Sequence, residues 1–441
     1  LKGIILPALI YPFILRVSSM QRHKANCILS CLSMVLLWVS TVGAADPQLA
    51  SLIKDAIANN HEILMMEHRV KGARHRITQA SALPDPMLMF GYQNEGWSRF
   101  TLGEMQGAQW ALSISQSIPF PGKLALKEEV ATREAEVADI SLQALKTRTA
   151  QRVYELYYDL FLVQRSLKLI KANYNVIQQI EDIALSGLSL GLIKQDEVSS
   201  LQTQRYMLIE QEAMLRQKAE ALEGMLNAFA NRDIRTTYTE IPDLGLTGFD
   251  LTLENVVRLS EENSYELKIK EQAQRVWESK VNLARREFYP DFTIGIGVFP
   301  RTGPFLDMWN LTVSMNIPIF YKSKQRQMVY EAEAMGNEAR HELMASRAML
   351  QASLREGIAT IKGFKETIEV YKNALIPKAY QELEGMLYSY RVGSVGTTEV
   401  VQKIRQLIDL ESAYWRQIVE RQKAVIRIKA LMGTLLTSEQ H

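Results

Sequence analysis

The sequence predicts a mainly α-helical chain with a membrane β part: long helices that pack as the staves of an α-barrel, and four transmembrane strands. Three observations predict it. One pattern is written twice along the chain. Two stretches free of helix breakers run much longer than a globular core. Four short segments alternate large apolar residues with small uncharged ones.

The repeat is read from its punctuation. Leu83-Pro84-Asp85-Pro86 opens the first alternating region and Ser117-Ile118-Pro119-Phe120 closes it. Phe288-Tyr289-Pro290-Asp291 and Asn316-Ile317-Pro318-Ile319-Phe320 do the same for the second. Gly191 and Glu197 in the first half return at one common offset as Gly393 and Glu399. The expected organisation is a leader at 1–45, a first helix–hairpin–helix–helix repeat at 46–230, a linker at 231–252, a second repeat at 253–433 and a tail at 434–441. Pro242, Gly245 and Gly248 mark the linker.

The expected elements follow in order. Residues 47–82 form a helix with mixed faces, and 87–95 and 109–118 form strands. Residues 123–186 form a long helix without Pro or Gly, broken by Gly187 and Gly191. A return helix covers 195–230. The second half repeats this as helix 253–287, strands 292–299 and 310–317, helix 323–390, turn 391–397 and helix 398–432. The first long helix spans roughly 95 Å at 1.5 Å per residue, so it must pack lengthwise. Leu142, Leu145, Val153, Leu156, Leu160 and Val163 mark its buried stripe. The first and return helices are each about half as long, and end to end they match one full stave.

Phe292, Ile294, Ile296 and Val298 alternate with Thr293, Gly295 and Gly297; Leu311, Val313, Met315 and Ile317 alternate with Thr312, Ser314 and Asn316. An uncharged small face opposite a large apolar one suits a membrane barrel around water. Trp97, Phe100, Trp110, Phe305 and Trp309 flank the hairpin loops, and Phe120, Phe288, Tyr289, Phe320 and Tyr321 the helix junctions, as two interfacial girdles. Four strands cannot close a barrel, and lipid does not tolerate an open edge. Several chains must each donate four strands; this argument admits two, three or four copies.

Composition narrows the class. The formal net charge is +2, and loss of Lys2, Arg16, Arg22 and Lys24 with the leader makes it about −2, which gives no reason to expect nucleic acid. Arg22-His23-Lys24, the apolar run from Cys27 to Val42 and the small residues Val42-Gly43-Ala44-Ala45 read as an export signal, with Met20 as the expected start. Both cysteines, Cys27 and Cys31, lie inside it. The exported chain is then free of thiols, as suits an oxidising compartment. No Ser-His-Asp set, phosphate loop or Cys/His metal spacing points to an enzyme, and no cofactor is expected.

With these residues in place, the chain resembles the TolC family of outer-membrane efflux channels from about Asp46 to Gly433. Asn59-Asn60-His61-Glu62-Ile63 and its echo Glu262-Asn263-Ser264-Tyr265-Glu266-Leu267 carry the resemblance. So do Pro84-Asp85, Pro290-Asp291, the strand-to-helix prolines Pro119 and Pro318, and the two glycine turns. The resemblance implies a homotrimer in the outer membrane of a Gram-negative-type cell, with a 12-stranded barrel in lipid and a helical tunnel through the periplasm. It implies a periplasmic adaptor (membrane fusion) protein and an inner-membrane transporter of the RND type as partners. It places the turns at the periplasmic tip, with Gly191, Leu192, Ile193, Gly393, Val395 and Gly396 as adaptor contacts and Tyr390, Glu197 and Glu399 as gate residues. Val395 stands where the best-studied type has a basic gate residue, and Gln402 stands at the second acidic position of its ring.

Phe120-Pro121-Gly122-Lys123 resembles members serving heavy-metal efflux of the cobalt-zinc-cadmium or copper-silver type. No metal site is assigned. His61, Met65 and His68 are the ligand candidates, because their spacing puts them on one helical face; a packing or surface role is the ordinary alternative. The expected function is a passive duct of a tripartite efflux system for heavy-metal ions or small toxic compounds. The alternative is an outer-membrane duct for type I protein secretion.

Overall fold

The structure is a computed structural model that describes residues 46–436 apart from 192, 246, 247 and 250. The expected leader, Leu192 and the end of the tail lie outside the described residues. The chain divides into two compact units. One holds Gln151–Asp250, Ile358–Ile426 and the chain up to Ala56; the other holds Ile57–Ala150, Leu251–Gly357 and Arg427–His441.

The second of these carries all the strands. β1 (Met87–Gln93), β2 (Gln109–Ile118), β3 (Phe292–Phe299) and β4 (Met308–Met315) form one antiparallel sheet in the order β1-β2-β3-β4. β2 pairs with β3, so the sheet joins the two halves of the chain. β1 stops at Gln93 because Asn94 turns the chain: its side chain donates to the carbonyls of Gly96 and Arg99 and accepts from Thr101 N–H. β4 starts two residues before the expected 310 and ends before Asn316, whose side chain instead accepts from Asp291 N–H.

Helices α2 (His61–Ser81), α5 (Leu253–Asn263) and α6 (Tyr265–Arg286) pack in the same unit with the first parts of α3 (Lys123–Ser189) and α7 (Gln325–Val370). Ile63 and Val70, one heptad apart on α2, bury against Leu142 of α3, with Met66, Ala138 and Leu145 beside them. Each such apolar side chain contributes about 1.5–3 kcal/mol by leaving water. Ion pairs Lys146–Glu67, Lys280–Glu134 and Lys270–Glu342 link neighbouring helices. Being partly exposed, they set rotation about the helix axes more than stability.

The helices expected over 47–82 and 253–287 are each broken, and both breaks fall on the repeated Asn-containing motif. α1 (Pro47–Asn59) ends before Asn60, whose extended backbone and side chain cap α2 by accepting from Glu62 N–H. Ser264 breaks α5 from α6 in the same way by backbone geometry, without a side-chain cap bond. An Asn or Ser side chain offers the backbone an alternative to the helical ladder, which local periodicity does not reveal.

The other unit contains α4 (Gln195–Ala230), α8 (Ile376–Arg391), the ends of α3 and α7 and most of α9 (Thr397–Leu431). Its core joins Ile170, Ile177, Ile180 and Ala184 of α3, Val198, Leu201 and Leu208 of α4, and Val400, Val401 and Ile404 of α9. The expected stripe of α3 is buried at Val153, Leu156, Leu160 and Val163. The helix expected over 323–390 is interrupted by a π-turn at Tyr371–Leu375, where Ile376 N–H bonds to Tyr371 C=O. Pro377 follows immediately, and its missing N–H and bulky ring favour a widened turn. No described helix is long and apolar enough to cross a membrane.

Candidate functional site

The strand register sorts the sheet into two faces. Leu88, Ile114, Ile296 and Leu311 stand side by side across all four strands, and Phe90, Leu112, Val298 and Trp309 form the next such row. The alternate rows are Met87, Ser115, Gly295 and Thr312, then Met89, Ser113, Gly297 and Asn310. One face is thus apolar except for Gln116 beside Ile294 near the helix end, and the other is mostly small and uncharged. Ile294, Ile296 and Val298 are exposed, whereas Gly295 and Gly297 between them are buried. A Cβ at Gly295 would sit 2.9 Å from Thr312 Oγ1, and one at Gly297 2.8 Å from Asn310 Oδ1, so these glycines let the polar face crowd inward. A soluble sheet would bury its apolar face on a core; here that face is open along every strand. Aromatic contacts bracket it. Tyr92 stacks on Phe100 at 4.6 Å and meets Trp110 at 5.1 Å at the loop end, and Phe120 stacks on Tyr289 at 4.6 Å at the helix end.

A charged junction that the sequence alone does not reveal lies where strands become helices. Lys123, the first residue of α3, is 1% exposed. Its Nζ lies 3.0 Å from Glu287 Oε2 and 2.9 Å from Asp291 Oδ1. Burial opposes the lysine's charge, but bonds to Asp291 and Glu287 outweigh it and hold the ammonium above its ordinary pKa. Burial likewise opposes the Asp291 carboxylate, yet Lys123 and Phe120 N–H (2.8 Å) hold its pKa below the usual range. Arg286 lies 4.9 Å over both the Phe120 and Tyr289 rings and donates to Pro121 C=O. Pro119 and Pro318 stand just beyond β2 and β4, where a missing donor ends the ladder. The visible clue was a lone lysine after Phe-Pro-Gly facing a Pro-Asp dipeptide from the other half.

The two helical turns close differently from their expected description. Gly187 does not break α3 but sits inside it; its bare backbone admits Ile193, whose Cδ1 would be 2.7 Å from a Cβ there. Gly191 makes the turn with φ 70° and Gly393 with φ 74°. Around Gly393, Ser394 N–H bonds to Ser389 C=O and Gly393 N–H to Tyr390 C=O, the double closure that only a left-handed residue permits cheaply. Ile193 and Val395, expected as exposed grips, are half-buried, Ile193 against the helix core. Gly191, Gly393 and Gly396 are exposed, and Leu192 lies outside the described residues.

Of the three gate candidates, the fold brings two together. Thr397, fully buried at the start of α9, donates its hydroxyl to Glu197 Oε2 at 2.7 Å and its N–H at 3.2 Å. Tyr390 Oη lies 3.4 Å from Thr397 Oγ1. Glu197 of α4 therefore caps the N-terminus of α9, where a carboxylate is favoured. Glu399 is exposed and folds its carboxylate toward Gly396; Gln402 is exposed one turn on. Thr397 is the partner the sequence did not reveal. On α2, His61, Met65 and His68 are all exposed, on the face opposite Ile63 and Val70.

The sequence model of the family described as outer membrane efflux protein matches residues 52–228 and 256–434. The chain is 21% identical over 416 residues to the probable outer membrane lipoprotein SilC of Salmonella typhimurium, covering 85% of this chain and 84% of that one. It is 21% identical over 405 residues to the cobalt-zinc-cadmium resistance protein CzcC of Cupriavidus metallidurans, covering 88% and 91%. Among solved structures, CusC in a study of folding and transmembrane channel formation aligns with TM-score 0.75 and 16% identity, over 89% of this chain and 95% of that one.

Proposed function

This chain belongs to the outer membrane efflux protein family, and we propose that it is the passive duct of a tripartite efflux system carrying heavy-metal ions out of the cell. The observation that carries the duct is the two-faced sheet: an open apolar layer for lipid and a small, uncharged layer for a water-filled lumen. The metal cargo is supported by two of the relatives, the cobalt-zinc-cadmium resistance protein CzcC and the cation efflux system protein CusC.

β1 and β4 leave the sheet with two unpaired edges. Lipid forbids such edges, so copies of the chain close them edge to edge. Three copies give a 12-stranded barrel, within the ordinary size range of such barrels. In this reading the two halves are repeats of one unit. The glycine turns meet a periplasmic adaptor, an RND-type transporter feeds the duct from the inner membrane, and Tyr390, Glu197 and Glu399 form the gate. The bond from Thr397 to Glu197 supports a latched resting state in which the α4 and α9 starts are tied together.

The test is the metal sensitivity of a strain lacking this chain, measured with copper, silver, zinc, cobalt and cadmium beside dyes and antibiotics. Selective metal sensitivity, reversed by the intact chain, is the expected result. Sensitivity to organic compounds alone would move the cargo to small toxic molecules, and an export defect confined to a secreted protein would favour type I secretion.

A further inference from the structure

We propose that the groove between the start of α3 and the end of α6 is a docking site for the phosphate of one glycerophospholipid headgroup, held by Arg286 at the edge of the lipid face. The proposal rests on the reading of the apolar sheet face as the lipid face. Ile118 pairs with Phe292 in the register, and Phe292 shares its face with Ile294, Ile296 and Val298. Phe120 meets Phe292 at 6.5 Å and stacks on Tyr289 at 4.6 Å. Arg286 lies 4.9 Å over both the Phe120 and Tyr289 rings. These ring contacts carry the apolar layer from β3 to a guanidinium, so the cation sits where apolar surface gives way to water.

The Phe120-Pro121-Gly122 turn builds the cradle for that cation. Nε and Nη2 of Arg286 donate to Pro121 C=O at 3.1 and 2.7 Å. Gly122 turns with φ 91°, and a Cβ there would stand 3.3 Å from Arg286 Nη2. The bare backbone therefore leaves the guanidinium its place. Gly122, Leu126, Asn282, Arg286 and Tyr289 line one open groove of about 530 Å³. Glu287 and Asp291 are bonded to Lys123, and Glu333 to Arg285. Among the described residues no carboxylate pairs with Arg286 itself. Arg165 makes the contrast: it also lies over two rings, Phe161 and Trp415, but it pairs with Asp243.

The two bonds to Pro121 leave the Nη1 end of the fork for an acceptor. A planar guanidinium matches a phosphate through parallel N–H···O bonds. Asn282 precedes Arg286 by one helical turn on the same face and adds an amide donor. α3 starts at this groove with no acidic residue in its first turn, so its positive end adds to the same field. Leu126 and Tyr289 supply an apolar wall for the glycerol end of a lipid; a free phosphate would leave that wall wet. Topology keeps the groove accessible. α3 follows β2 and α6 precedes β3, the two central strands, away from the edges of β1 and β4 that other copies close.

The experiment is native mass spectrometry of the purified full chain in neutral detergent, with phosphatidylglycerol or diacylglycerol added and lipid counted per chain. The proposal expects one phosphatidylglycerol per chain, held in preference to diacylglycerol, which lacks the phosphate. Arg286→Gln removes the charge. Asn282→Asp sets a carboxylate beside it at an exposed helical position, so its circular dichroism should match that of the unaltered protein. Each should weaken phosphatidylglycerol binding by at least about tenfold. Arg326→Gln, at an exposed position over the Tyr330 ring outside the groove, should bind as the unaltered protein does. Excess inorganic phosphate should leave the lipid bound. Equal binding by the unaltered, Arg286→Gln and Asn282→Asp proteins would overturn the site. So would diacylglycerol held as well as phosphatidylglycerol, displacement by inorganic phosphate, or a loss in Arg326→Gln equal to that in Arg286→Gln. If Ile294→Asp inserts in the outer membrane as well as Thr293→Asp while the binding differences hold, the lipid-face reading fails and the phosphate site stands. If Ile294→Asp alone fails to insert while binding is unchanged across the variants, the site alone fails.

Discussion

Replacing Lys123 with Met removes one charge from the strand–helix junction and little else, because the methionine keeps most of the buried stem. Two carboxylates then lose the ammonium that sits 3.0 Å from Glu287 and 2.9 Å from Asp291. Breaking a fully buried pair costs about 3–5 kcal/mol. Here the lysine side chain is 2% exposed but Glu287 and Asp291 are 29% and 33% exposed, so water relieves part of the loss. Phe120 N–H also remains on Asp291. The expected cost is therefore about 2 kcal/mol, below the fully buried range. The assay is a denaturant midpoint in detergent micelles for the unaltered protein, Lys123→Met, Glu287→Gln/Asp291→Asn and the triple variant. In the neutralised background Lys123→Met should cost less than about 1 kcal/mol, because no orphan charge remains. A single-variant loss within about 0.5 kcal/mol of zero, the range of ordinary surface changes, would refute the reasoning. So would equal losses in both backgrounds. The pH dependence has a fixed sign. Asp291 is lowered, so its contribution is full above the ordinary carboxylate range and is lost as pH falls through its folded pKa. Lys123 is raised, so its contribution holds below the ordinary lysine range and is lost as pH climbs through its folded pKa.

Other outcomes follow from the same structure. Glu197→Ala leaves the buried Thr397 hydroxyl and N–H without their acceptor, a loss of about 1–3 kcal/mol; in planar bilayers the variant should show higher single-channel conductance, and unchanged conductance would confine Glu197 to capping. Tyr390→Ala should act in the same direction more weakly, since its contact with Thr397 is 3.4 Å. Glu411 accepts from Tyr380 Oη at 2.6 Å, and burial holds its pKa above the ordinary glutamate value despite that bond. Its ionisation therefore destabilises the fold as pH rises through the interval from the ordinary to the raised pKa. Glu411→Gln should raise the thermal midpoint at neutral pH and lose that advantage in acid; the reverse pH trend would contradict the assignment.

Much of this fold was legible because its punctuation is local. Pro84, Pro119, Pro290 and Pro318 bracket the strands, and Gly191 and Gly393 turn the helices through backbone angles that other residues avoid. The alternation in β3 and β4 is a period-two pattern whose register the sheet preserves, shifted by two residues in β4. What stayed hidden depends on partners distant in sequence. Gly187 reads as a breaker until Ile193 is seen filling its place. Lys123 reads only as the end of Phe120-Pro121-Gly122-Lys123 until Glu287 and Asp291 arrive from the other half. Asn60 and Ser264 break helices through a single residue's geometry inside strongly periodic segments. The gate candidates Glu197 and Tyr390 were named by resemblance, but Thr397, which joins them, has no mark in the sequence beyond its position after Gly396.

The central claim is that the sheet faces lipid on one side and water on the other. The most direct test compares Ile294→Asp with Thr293→Asp, adjacent residues of β3 on opposite faces, by the yield of heat-modifiable protein in the outer membrane. A charge on the lipid face is expensive, while the lumen face tolerates it. Ile294→Asp should sharply lower the inserted yield, and Thr293→Asp should leave it near that of the unaltered protein. Equal insertion of both, or loss confined to Thr293→Asp, would contradict the account.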